Sequence, residues 1–82
     1  MPFELYRDVI LTTDLPEHGL CAGDVGTLVE RHAVAGTEDG YTVEFFDMPR
    51  RTVAVVTVPA RILRAPTPAD RPAIRTLART GT

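Results

Sequence analysis

Between Asp8 and Arg64 the chain is a series of short β-branched runs, none longer than seven residues, separated by clusters of turn formers. Short runs bounded by Gly, Pro and Asp predict strands rather than helices. With 82 residues there is chain for only one hydrophobic core. Several short strands that share one core bury a face and limit their exposed edges most simply by closing the sheet on itself. The expected class is therefore all-β, a small curled barrel of five strands.

The strands are expected at 8–13, 25–31, 41–46, 52–58 and 62–64. A long turn-rich loop, Asp14 to Asp24, follows the first strand and is punctuated by Pro16, Gly19 and Gly23. Gly26 stands inside the second strand, where glycine marks a bulge or a close backbone approach. Gly36-Thr37-Glu38-Asp39-Gly40 closes a polar hairpin tip, and Asp47-Met48-Pro49-Arg50-Arg51 is a five-residue turn. Pro59-Ala60-Arg61 reads as a single helical turn before the last strand. If the five-residue turn fixes the register, Phe45 faces Val53, Val43 faces Val55 and Tyr41 faces Thr57. Those six would be the core face. Phe46, Glu44 and Thr42, against Thr52, Ala54 and Val56, would be a mixed outer face.

Residues 66–82 differ from the body. A helix begun at Asp70 would carry Pro72 in its tolerated first turn and place Ile74, Leu77 and Ala78 on one face. Arg71, Arg75 and Arg79 would share another face and repel. The expected division is a barrel over 1–65 and a tail over 66–82, disordered or a short helix.

Strings within the body carry a family resemblance. Asp8-Val9-Ile10-Leu11, Asp14-Leu15-Pro16-Glu17-His18-Gly19-Leu20, Ala22-Gly23-Asp24-Val25-Gly26-Thr27-Leu28-Val29 and Tyr41-Thr42-Val43-Glu44-Phe45, continued by Thr57-Val58-Pro59-Ala60, resemble a family of very small bacterial proteins known as a domain of unknown function. The resemblance runs from about Phe3 to Arg64 and implies an SH3-like barrel, similar in pattern to the nitrile hydratase β-subunit barrel and the small barrel subunit of photosystem I. Cys21 departs from the polar residue expected there. The resemblance brings a fold and no activity.

Function is then a matter of exclusion. All nine basic residues are arginine, a pattern that reads as coding bias, and residues 1–65 hold six of them against ten carboxylates. A mildly acidic body lacks the basic stripe of a dedicated nucleic-acid binder. A single cysteine forms no internal disulfide, which favours a reducing cytoplasm. The first residues show no basic or apolar leader, and the longest apolar stretch, Val53 to Val58, is too short for a membrane span. No serine is present, and no phosphate-binding glycine motif occurs. His18 and Cys21 supply two soft ligands where a closed zinc site needs four. No cofactor, no metal and no catalytic residue are therefore assigned.

What remains is protein recognition. Leu15, Pro16, His18 and Leu20 in the long loop, with Arg31, His32 and Val34 near the hairpin, are the candidate partner-binding residues. The two segments are expected at one end of the barrel if the first three strands pair in order. Apolar side chains in loops suit such a surface, and polar ones can orient a partner around it. Leu15 and Leu20 could equally anchor their own loop. The expected function is a non-catalytic accessory module acting through a protein partner, enzyme-associated or toxin-neutralising. The alternative is a nucleic-acid-associated small barrel.

Overall fold

The β-branched runs form strands where their spacing predicts them. In a computed structural model that describes residues 3–33 and 35–76, they are β1 (Asp8–Leu11), β2 (Val25–His32), β3 (Gly40–Phe46), β4 (Thr52–Pro59) and β5 (Leu63–Arg64). Single 3-10 turns occur at Pro16–His18 and Ala60–Ile62. The strands make one antiparallel sheet in the order β4-β3-β2-β1-β5. The sheet curls into a small all-β half-barrel. Among the described residues no helix is long and apolar enough to cross a membrane.

Alternation along the strands places the core. Val9 and Leu11 of β1, Leu28 of β2, Tyr41, Val43 and Phe45 of β3, Val56 and Val58 of β4 and Leu63 of β5 are buried together with Leu20 of the long loop. Phe3 covers one end: its ring meets Tyr41 edge-on at 5.4 Å, and its backbone N–H donates to the Tyr41 hydroxyl at 3.2 Å. The buried phenol is thereby satisfied.

The register between β3 and β4 differs from the expected one by a residue. Val43 faces Val56, Tyr41 faces Val58 and Phe45 faces Ala54, while Phe46 faces Thr52. Val53 is the extra residue of a bulge between those last two pairs. The displaced pairing turns Val53 and Val55 outward, 57% and 55% exposed, and buries Val56 at 5%. The five-residue turn therefore does not fix the register. Arg50 within it adopts φ 73, its N–H donates to the Asp47 carbonyl at 2.9 Å, and Asp47 binds Arg51 through both carboxylate oxygens.

A second bulge interrupts β2 and β3 between Leu28 and Glu30. Gly26 is not part of it, and its φ is not positive. It pairs regularly with Val9 and Phe45, as the close approach of backbones requires.

The tail has no helix among its described residues, 66–76. Arg64 instead grips Asp70 with two nitrogens at 2.9 and 2.7 Å, and Asp70 also accepts the Thr67 N–H at 2.7 Å. That clasp folds the chain back towards the long loop, where Arg75 meets Asp24 at 2.6 Å. Leu77, Ala78 and Arg79 lie outside the described residues.

Candidate functional site: a groove between the long loop and the β3–β4 turn

The long loop is a built structure. Leu15 and Leu20 exchange backbone hydrogen bonds at 2.9 and 3.1 Å across the Pro16–His18 turn, which Gly19 ends in the left-handed region. Asp14 accepts the Ala22 N–H at 2.8 Å and Asp24 the Cys21 N–H at 2.9 Å. These carboxylates satisfy loop donors that have no strand partner.

Pairing order decides what the loop faces. The long loop enters β2 at Val25, whereas the hairpin tip leaves β2 at His32, and antiparallel pairing keeps those points at opposite ends of the strand. Eight residues of strand span roughly 23 Å. The β3–β4 turn, which follows Phe46, shares the long loop's end instead. Together they bound a groove of about 390 Å³. Its floor is buried Leu20 and Phe45 with half-buried Phe46, and around it stand Val25, Met48 and Val53, the polar His18, Asp24 and Asp47, and Ala73, Ile74 and Arg75 of the tail along one side. Val25, Met48 and Val53 are large apolar side chains left exposed there.

The candidate partner-binding residues are thus divided between two ends. Pro16 and His18 are exposed beside the groove, and His18 lines it. Leu15 is half-buried and packs on the core, and Leu20 is buried, so both hold the loop down. Leu20 offers the groove floor but no projecting side chain. Arg31 lines a separate depression at the far end with Phe3, Leu5, Tyr6, Val29, Glu30 and Ala33, and its guanidinium is taken by Asp39 at 2.8 Å. His32 is half-buried, its Nε2 2.9 Å from the Thr42 hydroxyl, which lies 2.8 Å from that of Thr57. Val34 lies outside the described residues. The structure does not bring the two segments together.

Residues 5–65 match the model of the domain of unknown function DUF4926. The chain belongs to that family. The DUF4926 match ends one residue after β5, so the strands and loops that form the groove lie within it and Ala73 to Arg75 do not. No curated protein and no solved structure matches the chain.

Sequence reasoning missed Val25, Met48 and Val53. Val53 is exposed only because of a bulge that leaves no residue signature. The separation of the two loops, by contrast, follows from strand order: segments before and after one strand lie at its two ends. Among the described residues no cluster of three or more His, Cys, Asp or Glu side chains is placed to hold a metal ion.

Proposed function

We propose that this protein is a non-catalytic accessory module that acts by binding a partner protein in the groove between the long loop and the β3–β4 turn. The observation that carries this reading is the set of exposed apolar side chains, Val25, Met48 and Val53, around a floor of Leu20 and Phe45. An apolar centre with a polar rim, here His18, Asp24 and Asp47, is the usual anatomy of a recognition surface. The strand order, with a 3-10 turn joining the last two strands, supports an SH3-like barrel as the scaffold. A lone cysteine supports a cytoplasmic setting.

The arginines favour a protein partner over nucleic acid. Arg7, Arg31, Arg51, Arg61, Arg64 and Arg75 each hold a carboxylate, namely Glu4, Asp39, Asp47, Glu38, Asp70 and Asp24. Arg50 lies 4.9 Å over the Phe46 ring, and Arg71 donates to the carbonyls of Pro68 and Asp70. Phosphate recognition draws on unpaired cations, and among the described residues only Arg50 and Arg71 have no carboxylate partner.

The reading is tested by capture from a lysate of the source organism with the full chain as bait. Val53→Asp should lose the captured protein by more than tenfold while keeping its melting temperature, since Val53 is exposed. Arg31→Glu, at the far end, should capture normally. Capture lost with Arg31→Glu and kept with Val53→Asp would move the interface to the far end. Capture abolished by nuclease would favour the nucleic-acid alternative.

A further inference from the structure

The groove already has an occupant along one side. Residues 72–75 run past it without secondary structure, and Arg75 is their anchor: Nη2 lies 2.6 Å and Nε 3.2 Å from the Asp24 carboxylate, and Nη2 also reaches the Gly19 carbonyl at 3.5 Å. Asp24, and more distantly Asp14, favour the charge of that guanidinium. The aliphatic residue before it is not seated. Ile74 is 76% exposed, and the groove remains open with the tail in place. One exposed ion pair on a tethered segment is a weak hold.

Resting on the groove reading above, we propose that the tail is a displaceable internal ligand, and that the partner enters as an extended segment bearing an arginine for Asp24. Charge complementarity selects that chemistry. The loop side of the groove offers the carboxylate of Asp24, held in place by the Cys21 N–H, and Asp14 behind it adds to the negative field. A partner segment that places its arginine on Asp24 and an aliphatic side chain over Val25 and Val53 fills what Ile74 leaves open. The tail competes at the effective concentration set by its short tether, about millimolar. Partner affinity is scaled down to the fraction of molecules in which the tail has released Asp24.

The test uses the full chain and a fluorescent peptide that copies residues 66–76. Arg75→Asp should bind the peptide at least tenfold more tightly than the natural chain. Adding Asp24→Asn to that variant should reverse the gain, because the amide oxygen still accepts the Cys21 N–H but the charge is gone. A peptide with glutamine in place of its second arginine should bind none of the proteins. Equal affinity for the natural chain and Arg75→Asp overturns the internal-ligand inference and leaves the groove reading standing. No binding to Arg75→Asp overturns arginine recognition, and capture sensitive to Val53→Asp then shows that the groove serves a different chemistry. A dimer that Arg75→Asp dissociates would assign the segment to a second copy of the chain, and also overturns the proposal.

Discussion

Gly26 sits between Val9 and Phe45 in the middle of the sheet, on the face that points into the core. A Cβ built there would lie 2.5 Å from Val43 Cγ1 and 3.0 Å from both the Glu44 carbonyl oxygen and Phe45 Cδ1. The neighbours are packed side chains and backbone, so the residue is required by space and not by its torsion angle. Valine is a better strand former than glycine, and propensity alone would make Gly26→Val stabilising. Overpacking predicts the opposite sign, a loss of about 1–3 kcal/mol, read as a lower midpoint in urea. An unchanged or higher midpoint would mean that the three strands separate to admit the side chain at no cost.

At the scale of the element, the β3–β4 pairing carries the sharpest consequence of the bulge at Val53. The displaced register buries Val56 and exposes Val55, although the two are adjacent and chemically identical. Val56→Ala should therefore cost about 2 kcal/mol, and Val55→Ala close to nothing. The reverse order would restore the register expected from the turn. Strand positions and the inward set of β3 were legible because alternation is a local signal. The register was not, since one unpaired residue in a run of valines changes no local pattern and is settled by how Phe45 and Val56 fill the core. The tail is a second case. Its helical spacing is real, but Asp70, the expected helix start, is taken by Arg64 and the Thr67 N–H, and that clasp holds the backbone in a different arrangement. Arg64, and after it the Thr67 N–H, hold the Asp70 carboxyl well below the usual carboxylate range. A depressed value in the folded chain means that the stability contributed by the clasp is fully present above the ordinary aspartate value, about pH 4, and is lost as pH falls from there through the depressed one. The Thr67 amide resonance should stay constant from neutral pH to about pH 4 and move only at lower pH. A transition centred near neutrality would show that Asp70 is not the group that holds it.

At the scale of the whole molecule, the candidate site was half legible. The long loop stood out by its apolar residues and does border the groove, whereas its counterpart is the β3–β4 turn, which strand order puts at the same end and composition does not mark. What the sheet encloses and what the tail adds can be separated. Every member of the core lies between Val9 and Leu63, the flanking Phe3, Leu15, Ala54, Ala60 and Ile62 precede Arg64, and the family match closes at residue 65. The tail contributes exposed ion pairs and no buried side chain among its described residues. Deleting residues 66–82 should therefore leave a cooperative thermal transition, because surface pairs carry little of a fold's stability. The same deletion uncovers one side of the groove and frees Asp24. Hydrogen exchange should then quicken at the Cys21 and Gly19 amides while Leu28 and Val43 in the core stay protected, the pattern of a local opening. Loss of the cooperative transition would make the tail part of the core, and unchanged exchange at Cys21 would mean that Arg75 does not steady Asp24.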